Sequence, residues 1–196
     1  MSARTALLLA LLALAGCHAN APLPAARPGA DSWPDLAGLS AWHAGGRVAV
    51  RSQSEGFSAS FDWREGAGRS DIDVRGPLGS GAAHLTRTDA SIRIDTGGAA
   101  PIEVPAPFEA RDAELTQRLG FPLPVAALRF WMLGAPDPAR PSTPTADGFE
   151  QDGWTVALAG FSAVAAAPAA LPTRLTLGRG ETRIKVAVND WHVGAS

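Results

Sequence analysis

The strongest constraint on the fold is a period-two alternation that recurs along most of the chain. In Phe57-Ser-Ala-Ser-Phe-Asp-Trp63 the odd positions are apolar and the even ones polar. Asp71-Ile-Asp-Val-Arg75 continues with Ile72 and Val74 on one face and Asp71, Asp73 and Arg75 on the other. Arg47–Arg51, Ala83–Thr86 and Ser91–Asp95 behave alike, and so do Phe149–Gln151, Trp154–Leu158, Thr173–Leu177 and Arg183–Val188, closing on Trp191. Such runs are half-buried strands, and the glycine-containing turns between them are short enough for hairpins. The pattern specifies an antiparallel meander with one dry face and one wet face.

Three stretches break the alternation. Ser32–His43 suits a short helix, with Pro34 in its first turn and Gly45-Gly46 as its stop. Arg111–Leu119 and Val125–Leu133 suit two more, the second ended by Gly134 and Pro136, and the four prolines of 136–144 make an irregular loop. About nine strands offer their apolar stripes to one side of a single sheet, and a sheet of that size closes into a barrel or takes a cover. Two or three short helices are too little to fill a wide concavity, which leaves a greasy cavity as one outcome. A fully packed α+β domain is the other.

Composition removes several function classes. Of the 196 residues 46% are hydrophobic, six of them tryptophan, enough for a sizeable core, and the formal net charge of −2 lacks the footprint of a nucleic-acid binder. The single cysteine, Cys17, forbids an intramolecular disulfide. His18, His43, His84 and His192 lack metal-ligand spacing, so no metal is expected. Gly56-Phe-Ser-Ala-Ser60 lacks the final glycine of a nucleophile elbow, and Gly76-x-x-Gly79-x-Gly81 lacks the order of a dinucleotide loop. Asp71 and Asp73 share a polar face and fit either a cation or simple solvation of a strand. No catalytic residue is assigned, and the chain is not expected to be an enzyme.

The first residues read as a targeting segment. Arg4 is followed by the apolar run Ala6–Ala15, too short to span a bilayer. The run ends in Leu14-Ala-Gly-Cys17, which resembles the processing box of bacterial lipoprotein precursors. That resemblance implies removal of residues 1–16 and an N-acyl diacylglyceryl group on Cys17, the covalent lipid being the one prosthetic group expected. His18 follows the cysteine where an acidic residue would imply the inner membrane, so the outer membrane is implied. Residues 17–31, rich in Ala and Pro, form a tether of about 40 Å if extended, and 32–196 form one domain.

The turn Gly76-Pro77-Leu78-Gly79 places a leucine where turn tips are normally polar. We read Leu78 as outward-facing, with the bilayer as its partner.

Three groups of motifs then carry a family resemblance. Gly46-Arg47, Phe61-x-Trp63 and Gly76-Pro-Leu-Gly79 come first, followed by Leu119-Gly-x-Pro-Leu-Pro124 and Trp131-x-Leu-Gly134. Gln151-x-Gly153-Trp154, Leu171-Pro172 and Arg183-Ile-Lys185 with Asn189-x-Trp191 complete the order. In that order and spacing the chain resembles the LolB family of outer-membrane lipoprotein receptors. Phe161 departs from it, standing where a tyrosine is usual. The resemblance implies an incomplete antiparallel β-barrel with a lid of short helices over a hydrophobic cavity. It implies a periplasm-facing, lipid-anchored acceptor that takes outer-membrane lipoproteins from the carrier LolA and inserts them into the outer membrane, working as a monomer. The alternative is a lipid-binding or scaffolding lipoprotein of the same fold without insertion activity. Gly76, Pro77, Leu78 and Gly79 would form the insertion loop. Phe61, Trp63, Ile72, Leu128, Trp131 and Trp154 are the candidate cavity residues, with plain core as the competing role for the tryptophans.

Overall fold

The alternating runs assemble into a single antiparallel sheet. In the computed structural model the described residues are 25–52, 56–66, 68–77, 81–98, 100–107, 115–117 and 121–194. Eleven strands follow one another: β1 (Trp42–Arg51), β2 (Gly56–Gly66), β3 (Arg69–Arg75), β4 (Ala82–Thr88), β5 (Ser91–Asp95), β6 (Ile102–Pro105), β7 (Thr143–Pro144), β8 (Gly148–Gln151), β9 (Trp154–Ser162), β10 (Leu171–Arg179) and β11 (Thr182–Val193). Their spatial order is β6-β5-β4-β3-β2-β1-β11-β10-β9-β8-β7. Every neighbour is also a sequence neighbour except β1 and β11, which join the two ends of the chain. The outermost strands, β6 and β7, do not pair with each other, so the barrel stays open. Within the connection between them, the described residues 121–133 supply the cover over the inner face.

Burial follows the expected parity. Along β2, Ala59, Phe61 and Trp63 are buried while Ser58, Ser60 and Arg64 are exposed. In β11, Ile184, Val186 and Val188 point inward and Arg183 and Lys185 outward. The inner face, the helices and their linkers share one large apolar core, with a smaller cluster of Ile92, Ile94, Val104, Leu115 and Val125 beneath β5 and β6.

Several boundaries differ from the sequence reading. The first helix, α1, spans only Trp33–Ala37, and the strand begins at Trp42, so Gly45-Gly46 lie inside β1 instead of stopping a helix. The reason is a bulge at Gly45/Gly46, where a Cβ on Gly46 would collide with the Ala187 carbonyl and the Phe61 ring. The glycine permits two neighbours to close in. The lid helix, α2, is Leu128–Met132, because residues 125–127 form a turn before it. It ends at Gly134, whose φ of 83° suits glycine, as expected. Of the helix expected over Arg111–Leu119, residues 115–117 are helical and the others lie outside the described residues. The proline-rich loop contributes the short edge strand β7.

Residues 25–31, read as part of the tether, lie against the domain. The Ala25 amide donates to the Phe161 carbonyl at 2.9 Å, and the Arg27 guanidinium donates to the carbonyls of Ala146 and Gly148. The Ala- and Pro-rich composition hid these backbone and guanidinium donors. Cys17 and the targeting segment lie outside the described residues. Among the described residues no helix is long and apolar enough to cross a membrane.

Candidate functional site

Between the inner face and the cover lies a cavity of about 150 Å³. Its floor is Val48 and Val50 of β1, Phe61 and Trp63 of β2, Ile72 and Val74 of β3, Leu85 of β4, and Ile184 and Val186 of β11. Its roof is Phe121, Leu123, Val125, Leu128 and Met132. Phe57, 47% exposed, stands 6.0 Å from the ring of Phe121 and extends the apolar rim toward solvent. An apolar space of this volume, here partly open to solvent, holds a molecule about as large as benzene. An acyl chain requires the roof to move.

Two polar residues, Ser70 of β3 and Arg87 of β4, interrupt these walls, and both bind a buried carboxylate beside the cavity. Glu65 occupies an inward position of β2, two residues past Trp63, and its side chain is 1% exposed. The register sets it opposite Ser70, and Ser70 opposite Arg87, so the three form one cross-strand row. Ser70 Oγ donates to Glu65 Oε2 and accepts from Arg87 Nε at 3.1 Å. Arg87 Nη2 donates to Glu65 Oε1 at 3.1 Å and Trp63 Nε1 donates to Oε2 at 3.2 Å. From the roof, Arg129 of α2 brings its Nε to 3.2 Å from Glu65 Oε1. A carboxylate buried beside an apolar wall is tolerable only with such partners. This one ties the roof to the floor.

The candidate cavity residues separate into two groups. Phe61, Trp63, Ile72 and Leu128 line the cavity. Trp131 and Trp154 do not: they are 0% and 2% exposed and pack 6.1 Å apart with Phe149 in the solid core. Gln151 explains their placement. Its Oε1 accepts from Trp131 Nε1 at 2.8 Å and from the Asp137 amide at 2.9 Å, while its Nε2 donates to the carbonyls of Asp137 and Arg140. The end of α2 is thereby fixed to β8, whereas its start carries Leu128 and Arg129 over the cavity. Of the expected insertion loop, Gly76 and Pro77 follow β3 directly, and Leu78 and Gly79 lie outside the described residues.

Sequence reasoning missed most of the lining, although strand parity already placed Val48, Ile184 and Val186 with Phe61 and Trp63. It missed Glu65 as well, and there the signal was plain: a charge on the inward parity of an otherwise apolar face. On the outer face, Asp71 and Asp73 are engaged rather than free. Asp71 meets Arg69 at 2.6 Å, and that hydrogen bond above all holds its carboxyl below the usual range. Asp73 meets His84 at 3.0 Å. His43, His192 and Asp190 each bring one ligand atom to within 4.8 Å of the others, a grouping invisible in spacing because it joins β1 to β11. His43 Nε2 is already taken by Asp62 at 2.8 Å.

Comparison with known proteins gives a consistent result. The family model described as outer membrane lipoprotein LolB matches residues 40–191. Proteins named outer-membrane lipoprotein LolB from Alkalilimnicola ehrlichii and Chromohalobacter salexigens are 33% and 32% identical. They cover 93% and 98% of this chain and 93% and 92% of their own length. The one from Pseudomonas paraeruginosa is 32% identical over 80% of this chain and 76% of its own length. Among solved structures, a LolA superfamily protein from Nitrosomonas europaea has the same fold. Its TM-score is 0.52 at 8% identity, over 87% of this chain and 96% of that one.

Proposed function

The chain belongs to the outer-membrane lipoprotein LolB family, and from that membership we propose that it accepts the acyl chains of lipoproteins in the Phe61–Trp63–Ile72–Leu128 cavity and delivers them to the outer membrane. As a member of the family it is a lipid-anchored lipoprotein of that membrane, a lipoprotein-localisation protein. Cys17 is the residue we assign to the anchor, since two or more acyl chains hold a protein stably at a bilayer. The donor in this reading is a periplasmic carrier of the LolA type.

One observation carries the proposal: an apolar cavity roofed by a helix whose far end is fixed by Gln151 and whose near end is held by a single ionic cluster. Such a roof opens by pivoting on Trp131. No nucleotide is required. Each methylene moved from the cavity to lipid recovers about 0.8 kcal/mol if it had been exposed to water, so a cavity that covers the chains only partly loses them to the bilayer. Gly76-Pro77-Leu78-Gly79 is the segment we assign to that last step, with Leu78 entering lipid.

The test follows an acyl-loaded carrier, this protein and liposomes in one transfer assay. Leu78→Glu is expected to accept cargo at the normal rate and to leave it undelivered. Normal delivery by that variant removes the role of Leu78. Absence of any acyl transfer to the wild-type protein removes the cavity reading itself.

A further inference from the structure

The outer face of the sheet divides its charges into two regions. Toward one end Asp62 pairs with His43 and Arg64, Asp71 with Arg69, and Asp73 with His84. Toward the other end, beside the β3–β4 turn, cations stand without carboxylates. The register aligns Arg75, Ser60, Arg47, Ala187 and Arg174 in one row across β3, β2, β1, β11 and β10. At about 4.8 Å per strand, the three exposed arginines stand about 10 Å apart, with small residues between them. Lys185 lies two residues along β11 on the same face.

These four cations line a groove of about 700 Å³, together with the hydroxyl residues Ser58, Ser60 and Thr176, and Gly76 and Pro77 form part of its wall. No acidic residue belongs to the lining. Further along the same face Arg51 stands directly opposite Arg183, a like-charge pair of the kind that destabilises a sheet. Among the described residues none of these six cations forms an ion pair, and Glu181, in the β10–β11 turn, is the acid nearest Arg183 in sequence. The chain as a whole carries a net charge of −2, so the concentration does not reflect a general excess of base.

We infer that this groove binds the headgroup of an anionic glycerophospholipid. Its volume falls within the range of small-ligand sites. Phosphodiester oxygens suit a fork of arginines and hydroxyl donors. The membrane is the occupant favoured over a soluble anion or a protein because the groove is continuous with the Gly76-Pro77 turn and the protein is anchored at a membrane. The same strands, β1, β2, β3 and β11, then hold acyl chains on their inner face and a headgroup on their outer face. The inference rests on the reading that this turn meets the bilayer.

The test uses the mature chain carrying Cys17→Ala, so that no acyl anchor contributes, and vesicles of phosphatidylethanolamine with or without phosphatidylglycerol. Binding is expected only with phosphatidylglycerol, and it should weaken with salt as the screening length falls from about 10 Å at 0.1 M to about 3 Å at 1 M. At roughly fivefold per cation near a surface, the double variant Arg75→Gln with Arg174→Gln is expected to bind roughly 25-fold more weakly. Both side chains are exposed and unpaired, so the fold is expected to persist; unchanged urea unfolding confirms it. Equal binding to both vesicle types, or an unchanged double variant, overturns the inference. So does a double variant that keeps vesicle binding and loses acceptance from the loaded carrier, since the groove then docks a protein. Acyl loading, read from tryptophan fluorescence, should be normal throughout. Loss of loading in the unmodified protein would refute the cavity reading, and the vesicle result would still decide this one.

Discussion

The contact most open to a direct test is the one between roof and floor. Arg129→Met removes it while keeping side-chain length and helix propensity. Arg129 places Nε 3.2 Å from Glu65 Oε1, sends Nη2 to the Leu39 carbonyl at 3.4 Å, and stands 4.7 Å above the Phe130 ring. A hydrogen bond to a charged group contributes about 1.5–3 kcal/mol. The Nε–Oε1 approach lacks hydrogen-bond alignment and the side chain is 23% exposed, so the low end, about 1.5 kcal/mol, applies. That is close to a tenfold rise in the open fraction, given about 1.4 kcal/mol per factor of ten. Stopped-flow loading of an acyl probe, followed through Trp63, should accelerate roughly tenfold. Denaturant unfolding should show a loss of no more than about 2 kcal/mol. Glu65→Gln supplies the contrast. It leaves Arg87 and Arg129 without a counter-charge around a side chain only 1% exposed, and should cost the whole fold about 3–5 kcal/mol. If Arg129→Met loads at the wild-type rate while losing stability, the cluster braces the fold and does not gate the cavity.

Two further substitutions separate cavity from core. Val74→Phe places a ring in the empty space; overpacking a filled core costs about 1–3 kcal/mol, so here stability should hold within about 1 kcal/mol while acyl-probe affinity collapses. A large loss of stability would show that the space is not available. Gln151→Leu orphans the Trp131 indole N–H, the Asp137 amide and two carbonyls. At about 1–3 kcal/mol for each buried group left unpaired, urea unfolding should shift by at least 3 kcal/mol; a shift below about 1 kcal/mol would mean that water replaces the amide and that the pivot at Trp131 is weaker than proposed.

Much of the sheet was legible because parity is a local property. Phe61, Trp63 and Ile72 declare their face through their immediate neighbours, and the structure keeps them on one wall. The end-to-end pairing of β1 with β11 was not legible, since nothing local in Arg47–Arg51 names Arg183–Val188 as its partner. That pairing creates both the cavity floor and the row of cations outside it. The helix ending at Gly45-Gly46 was misplaced for a related reason. Two glycines resemble a helix stop until the Ala187 carbonyl and Phe61 ring that press on Gly46 are known. Trp131 and Trp154 could not be told from cavity residues because an indole suits either setting; only the Gln151 amide, 20 residues from Trp131, decides it.

The small volume of the cavity also bears on why cargo could move onward in the proposed transfer. At about 150 Å³ it is smaller than the chains it would hold, so enclosing them requires the roof to move. The proposed opening breaks the Arg129–Glu65 contact and lifts Leu128 from the floor, and that cost is subtracted from the affinity for acyl chains. A cavity already wide enough for the chains would bind its cargo more tightly and release it less readily. The bilayer pays no such penalty, since lipid accommodates a chain without dismantling a packed roof. On the proposed function, weak holding is then a consequence of the resting structure, and the direction of transfer would follow from it without an energy source.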